Sequence, residues 1–168
     1  MKNNLYIAAP KGSNVSRSSS KIYDQYNRNF DYLRLAVNER CNLRCIYCMP
    51  EKGINLLRKD QYLSEVEIKR IISIFSQIGV SKVRFTGGEP LLREDIIELI
   101  RYAKNQCKID QVHLTTNGIL LNNYIEQLSS VGLSGINISL DSLKSQRFKK
   151  ITRRDKLHQV LDNIQLVQ

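Results

Sequence analysis

From residue 31 onward the sequence repeats one plan, a short strand followed by an amphipathic helix. The segment 63–79 predicts a helix because its apolar residues recur at helical spacing, with Ser64 and Glu67 as a capping box and Gly79 as the stop. Further strands are predicted at 31–37, 81–88, 110–118 and 134–142, and further helices at 93–104, 122–132 and 155–167. Because short connections join these alternating elements, we expect an α/β fold in which helices cover a parallel sheet.

The predicted strands have one apolar and one polar face, since successive strand residues point to opposite sides. The apolar face holds Leu33, Leu35, Val83, Phe85, Val112, Leu114, Ile136 and Ile138. The polar face holds Arg34, Lys82, Arg84, Thr86, His113, Thr115, Asn117, Asn137, Ser139 and Asp141. A parallel sheet is normally apolar on both faces, so this polar face favours a curved sheet around a wet, ligand-holding interior. Its three cations favour an anionic ligand, and a flat sheet with an exposed polar face is the alternative.

Four unusual loops follow the predicted strands: NERCNLRCIYC, TGGEP, TTNG and LDS. In parallel α/β folds, ligands bind beyond the carboxyl ends of the strands, where these loops would meet. Each loop alone is weak support, because Gly-Gly and Asn-Gly are also ordinary turn residues. Together they predict one site at the carboxyl rim of the sheet.

The first of these loops carries three of the four cysteines, spaced as C-x3-C-x2-C at Cys41, Cys45 and Cys48. A structural zinc ion takes four ligands, usually in two pairs, and neither Cys107 nor the two histidines are spaced to supply a second pair. Thiolates are also the ligands of iron–sulfur clusters, and three of them would leave one iron of a [4Fe–4S] cluster open. The spacing favours the cluster over zinc.

Composition narrows the function classes further. The net charge is +10 over 168 residues, which suits nucleic acid or a phosphorylated small molecule as a partner. No apolar run approaches the ~18 residues that span a membrane, so we expect a cytoplasmic protein with no membrane partner. A reducing compartment argues against disulfides and for a metal site.

Residues 1–28 are basic and rich in Ser and Lys, and we expect a flexible tail there, followed by one domain over 29–168. The start of the chain has no acidic residue before Asp24. That composition also fits an organelle transit peptide, which would place the protein in an organelle matrix.

The three cysteines after the first strand, with GGEP after the second, resemble the radical S-adenosylmethionine (SAM) superfamily. The longer stretches YLRLAVNERCNLRCIYCMP, VRFTGGEPLLR, LTTNG and INISLDS resemble its GTP 3′,8-cyclase family of lyases, which makes the first pterin intermediate of molybdenum cofactor. The resemblance runs from about residue 31 to the end. It implies a partial TIM-like (βα) barrel with about four of the family's roughly six strand–helix units, residues 29–168 being the amino-terminal part of the radical SAM core.

The resemblance also implies a role for particular residues. The [4Fe–4S] ligands would be Cys41, Cys45 and Cys48, the SAM contacts Tyr47, Gly87, Gly88, Glu89 and Ser139, and the GTP contacts Arg34, Lys82, Arg84 and Thr115. In this family an electron donor such as flavodoxin or ferredoxin reduces the cluster, and SAM is cleaved to methionine and a 5′-deoxyadenosyl radical. The radical takes a hydrogen atom from GTP, which becomes (8S)-3′,8-cyclo-7,8-dihydroguanosine 5′-triphosphate.

Two departures from the family pattern stand out. His113 occupies a position where the family usually has a small residue. We favour a half-buried histidine with a satisfied hydrogen bond, and contact with the nucleotide is the alternative. The sequence also lacks the carboxyl-terminal cysteines of the family's second cluster, so it could not hold that cluster. We therefore expect an incomplete enzyme, inactive alone, that needs a complementing carboxyl-terminal half or a second copy of itself.

Three other functions stay open. A peptide-modifying radical SAM maturase would share the cysteines and the GGEP loop, but need not present three cations together. A basic zinc module would bind nucleic acid, although the basic stretches lack interleaved aromatic residues, so we do not expect nucleic acid as the partner. A catalytically inactive remnant is the third.

Overall fold

The structure, a computed structural model, describes residues 21–167. Its four strands are β1 (Tyr32–Ala36), β2 (Lys82–Thr86), β3 (Gln111–Thr116) and β4 (Gly135–Ile138). All neighbouring pairs are parallel, and the order in the sheet is β1-β2-β3-β4. The expected α/β fold with a parallel sheet is confirmed.

The strand order determines which face of the sheet is covered. Each new strand is added on the same side of the previous one, so the strand order never reverses. Crossovers between parallel strands are right-handed. Helices therefore collect on one face, as in a βα barrel, and leave the other face to form an interior. This one-directional winding explains why the polar face can lie in a parallel sheet without helices over it.

The helices are α1 (Glu65–Gln77), α2 (Ile96–Arg101), α3 (Ile125–Ser130), α4 (Ser145–Thr152) and α5 (Leu157–Gln165). The capping box of α1 forms as expected, with the Ser64 hydroxyl accepting from the Glu67 amide and the Glu67 carboxylate accepting from the Ser64 amide. A π-helical segment, Tyr102–Gln106, continues α2. Helix α4 was not expected, because its short sequence SQRFKKIT is mostly polar and has only two large apolar residues, Phe148 and Ile151.

The core lies between the sheet and the helices. Four central strand residues, Val83, Phe85, Val112 and Leu114, are fully buried against apolar residues of α1 and α2. Burying a side chain of this size contributes about 1.5–3 kcal/mol. Because successive strand residues point to opposite faces, burying these four side chains in the core places the residues between them on the polar face.

The expected tail falls mostly outside the described residues, since 1–20 are not among them. Its last part forms a turn, in which Tyr23 bridges to Asn29 and the Asp24 carboxylate accepts from the amides of Tyr26 and Arg28. Within residues 21–167, no helix combines the length and apolar character needed to cross a membrane.

Candidate active site

The cysteine loop, residues 37–50, follows β1 and is fastened to the far end of the chain. The amides of Arg44 and Ile46 donate to the carbonyls of Thr152 and Ile151 at the end of α4. Arg153 follows with a left-handed backbone (φ 54°) and donates to the carbonyls of Arg44 (3.1 Å) and Met49 (2.9 Å). The loop is thus held by a turn more than 100 residues further along the chain.

The three cysteines of this loop are free thiols. Cys45 is buried, Cys41 is half-buried and Cys48 is exposed. Burial raises the pKa of the Cys41 and Cys45 thiols, and the amide of Leu43 donates to the Cys41 sulfur. Within residues 21–167, no three histidine, cysteine or acidic side chains lie close enough together to bind one metal ion. A [4Fe–4S] cluster does not need such a group, because each thiolate binds a different iron.

The glycines after β2 let this strand's loop press directly on the cysteine loop. A Cβ at Gly87 would lie inside 3.0 Å of the Asn38 carbonyl, and a Cβ at Gly88 equally close to the Arg40 carbonyl. The amides of Gly88 and Glu89 donate to those two carbonyls at 2.8 and 2.7 Å. Two adjacent glycines are needed here because only a backbone without Cβ can approach so closely.

Glu89 joins the loops that follow β2 and β3. Its carboxylate is completely buried and accepts from the Leu91 amide (3.1 Å), the Thr116 hydroxyl (2.8 Å) and the Asn117 amide (2.8 Å). Burial raises the pKa of this carboxyl, and the three hydrogen bonds oppose that change. Since both carboxylate oxygens and the main chain of Glu89 are engaged, the exposed main chain of Gly87 and Gly88 is what this segment can offer a ligand's amino group.

Tyr47 and Asp141 connect the cysteine loop to the residues after β4. The Tyr47 hydroxyl donates to the Asp141 carboxylate at 3.0 Å, and the tyrosine ring is otherwise exposed. Burial of the hydroxyl, with its hydrogen bonds to Cys45 and Asp141, raises the pKa of Tyr47. Ser139 is also exposed, and its amide donates to the Thr116 carbonyl.

The expected GTP residues lie on the polar face, below this rim. Arg34, Arg84 and His113 are in register across β1, β2 and β3, and Lys82 lies two residues before Arg84. We call Arg34, Lys82 and Arg84 the cationic patch. None of the three forms an ion pair with another residue in the described part of the chain. The Tyr32 ring lies 5.7 Å from the Lys82 ammonium and 6.0 Å from the Arg84 guanidinium.

Three polar atoms in or beside the patch are buried and find no hydrogen-bond partner among residues 21–167: Arg84 Nε, His113 Nε2 and Thr115 Oγ1. The expectation of a satisfied hydrogen bond at His113 is therefore wrong for Nε2, although the side chain is half-buried as expected. Buried polar groups are normally paired, so unpaired ones on one face call for a ligand or water. These atoms make the polar face suited to a polar ligand.

Comparison with known proteins decides the family. The radical SAM superfamily model matches residues 35–168. The chain belongs to the radical SAM superfamily. The resemblance seen in the sequence is confirmed, and superfamily members use a [4Fe–4S] cluster and SAM.

Curated relatives of this radical SAM chain include a GTP 3′,8-cyclase of Lactiplantibacillus plantarum, which is 50% identical over 86% of this chain and 43% of its own length. Molybdenum cofactor biosynthesis protein 1 of Drosophila melanogaster is 45% identical over 90% of this chain and 27% of its own length. The chain thus spans less than half the length of the curated relatives it matches.

Among solved structures, anSMEcpe with bound AdoMet matches with a TM-score of 0.62 and 18% identity, over 80% of this chain and 40% of that one. SuiB of Streptococcus suis matches with a TM-score of 0.62 and 22% identity, over 82% of this chain and 31% of that one. At these identities the likeness concerns the fold.

The residues present fit both superfamily cofactors. Three free thiols on one anchored loop match a cluster with an open iron, and amide donation to a cysteine sulfur is the kind of contact that tunes such clusters. The glycine backbone at 87–88 leaves the main chain exposed beside that loop. The site residues themselves stay a prediction.

The structure also contains a cavity of about 580 Å³ that none of the predicted site residues lines. It lies between the loop after β1 and the starts of α1 and α2, with Asn38, Tyr62 and Arg93 in its wall. The polar-face residues of the four strands are not in its wall. The candidate site is therefore identified by the chemical nature of its residues and not by this cavity.

Asp141, Asn117 and Arg153 contribute to the site although the sequence did not single them out for it. The Asn117 amide group donates to the Asn42 side chain at 2.6 Å and reaches the Cys41 sulfur at 3.8 Å. The polar-face pattern contained Asn117 and Asp141, whereas nothing in the sequence pointed to Arg153.

Proposed function

We propose that this chain carries the part of a GTP 3′,8-cyclase that holds SAM and the first [4Fe–4S] cluster and binds the triphosphate of GTP. The observation that carries the proposal is the cationic patch, which lies on the polar face below the cysteine loop and has no acidic partner in the described residues. Arginine is well suited to phosphate, because its planar fork can donate two hydrogen bonds at once. The high identity to relatives named GTP 3′,8-cyclase supports the same substrate.

The spacing along β2 fits a nucleotide. Arg84 lies three residues before Gly87, and a strand rises about 3.3 Å per residue, so patch and rim are roughly 10 Å apart. A triphosphate bound at the patch would place its ribose nearer the rim. Thr115, whose hydroxyl is unpaired among residues 21–167, lies between the two levels.

Each group of residues has a separate task in this proposal. Cys41, Cys45 and Cys48 bind the cluster through their thiolates. SAM contacts come from Tyr47, Gly87, Gly88, Glu89 and Ser139. When bound, the cluster and SAM supply a carbon radical able to take a hydrogen atom from the substrate. The residues of the chain position the substrate so that this hydrogen atom faces the radical, and they exclude competing reactions.

The partners of the activity are proposals as well. We propose flavodoxin or ferredoxin as the electron donor, and a complementing chain or a second copy for the rest of the barrel. We propose a cytoplasmic location because reducing conditions keep cysteines as free thiols.

An anaerobic iron and sulfide count after reconstitution tests the cluster assignment. We expect about four irons per chain and a brown colour, both lost in a Cys41/Cys45/Cys48→Ala variant. Cys107→Ala is the matched control, since this thiol lies outside the loop, and it should keep the full iron content. Zinc in place of iron, or iron retained by the triple variant, would contradict the assignment.

Equilibrium binding of GTP to the reconstituted chain tests the substrate assignment. Arg34→Met and Arg84→Met should each weaken binding at least tenfold, because each removes a charged phosphate contact worth about 1.5–3 kcal/mol. Arg101→Met, on α2 and away from the polar face, should leave it unchanged. Equal binding by all variants would contradict the assignment of the patch to phosphate, and preference for a peptide over GTP would favour a maturase.

A further inference from the structure

His113 is held in a defined place on the polar face by the glycine beside it. It pairs in register with Arg84 on one side and Gly135 on the other. A Cβ built on Gly135 would lie 2.9 Å from His113 Nδ1 and 3.1 Å from Cε1. The imidazole therefore fills the space that a side chain at position 135 would take, and it stays next to the cationic patch.

The charged groups around His113 are cationic. Lys82 and Arg84 neighbour it on β2, and Gly135 contributes no charge from β4. The ammonium of Lys104, which donates to the Asp110 carbonyl and the Ser134 hydroxyl, adds a third positive charge. Arg34 lies in the same row on β1. Burial, followed by these three neighbouring cations, lowers the pKa of His113, so the imidazole is neutral at neutral pH. Tyr32 lies beside Lys82 and Arg84, and none of the ion pairs in the described residues brings a carboxylate to this group.

A bound anion would raise the pKa of His113 again. Phosphate oxygens beside Arg84 and Lys82 would compensate the charges that repel a proton from the imidazole, and would accept a hydrogen bond from it. We propose that His113 is a further substrate-contacting residue, which binds the polyphosphate chain and takes up a proton when that chain binds. The inference rests on the proposed function, because it takes the polyphosphate of GTP as the ligand of the patch.

The sign of the pH dependence follows from linkage. Complex formation that takes up a proton becomes stronger as the pH falls, by up to about tenfold per pH unit. The effect is confined to the range between the lowered pKa of His113 in the free protein and its raised pKa in the complex. Above that range neither state binds the proton, so the affinity no longer depends on this residue's charge.

The chain contains two histidines, so NMR can follow both imidazoles individually. The full chain is titrated with acid in the absence and presence of inorganic triphosphate, and His158→Gln assigns the two signals. The pKa of His113 should rise with triphosphate from below the ordinary value of about 6.5 to above it. The signal of His158, which is exposed on α5, should be the same in both titrations.

Calorimetry of triphosphate binding gives a second measurement. His113→Gln should abolish the proton uptake and flatten the pH dependence of the affinity, whereas His158→Gln should keep both. If Arg84→Met weakens binding but the His113 signal does not respond to triphosphate, the inference about His113 is wrong and the proposed phosphate site stands. If triphosphate does not bind, or binds equally well to Arg84→Met, the patch is not a phosphate site and both proposals fail.

Discussion

Replacing Arg153 by alanine should release the cysteine loop while the sheet stays folded. Arg153 donates to the carbonyls of Arg44 and Met49, which flank Cys45 and Cys48. Hydrogen bonds from a charged donor contribute about 1.5–3 kcal/mol each, and for this half-buried side chain we take the lower end, so two amount to about 3 kcal/mol. Alanine inherits the left-handed backbone (φ 54°), so the strain at this position does not fall.

A loss of about 3 kcal/mol corresponds to roughly a hundredfold rise in the population of the open loop. Because Cys45 is buried, it reacts only when the loop opens, and its labelling rate follows that population when closing is fast. Mass spectrometry of the cluster-free protein should therefore show labelling of Cys45 about a hundredfold faster in Arg153→Ala.

Three internal controls accompany this measurement. Cys48 is exposed and should react rapidly in both proteins, and Cys107 should keep its rate because it lies outside the loop. Arg154→Ala changes the next residue, which is exposed, and should leave Cys45 protected. Cys45 labelling within about twofold of the unmodified chain would refute the reasoning, since the two backbone hydrogen bonds to α4 would then hold the loop by themselves.

Two further changes test how the rim is built. Gly88→Ala should lower the midpoint of urea unfolding more than Gly53→Ala. A Cβ at Gly88 collides with the Arg40 carbonyl, whereas Gly53 has open space around it and only a left-handed backbone. Equal shifts of the midpoint would contradict the close contact at Gly88. Glu89→Gln should change the pH dependence of stability. Burial raises the pKa of the Glu89 carboxyl in the folded protein. The stability that the protonated carboxyl contributes is therefore present at acid pH and is lost as the pH rises through that raised pKa. The unfolding free energy of the Gln variant relative to the unmodified chain should thus increase from about pH 4 upward, and a constant difference between pH 4 and 8 would show that this carboxyl does not titrate abnormally.

The polar face could be predicted because strand periodicity is a local property. Arg34, Arg84 and Thr115 needed only the rule that successive strand residues alternate, and the register then brought Arg34, Arg84 and His113 into one row. The cysteine spacing was equally local, since it lies within one loop.

Long-range contacts at the rim could not be predicted in the same way. The bond from Arg153 to the Arg44 carbonyl joins residues 109 positions apart and depends on how α4 docks. The side chain of Glu89 is another example, because its bonds to Thr116 and Asn117 need the loops of two neighbouring strands in their final places. His113 required coordinates for a further reason, since only its neighbours show that Nε2 has no partner within residues 21–167.

The rim and the polar face use hydrogen bonding in opposite ways. At the rim, Glu89, Gly88 and Arg153 each hydrogen-bond to a neighbouring loop, which keeps the proposed cofactor ligands in place before a ligand binds. On the polar face, like charges stand side by side, with a tyrosine ring as partial compensation for Lys82 and Arg84. A stable core would not leave these groups unpaired, whereas a site for a polyanion requires it. Under the proposed function, the rigid loops surround the cofactor ligands and the unpaired charges lie where a triphosphate would bind.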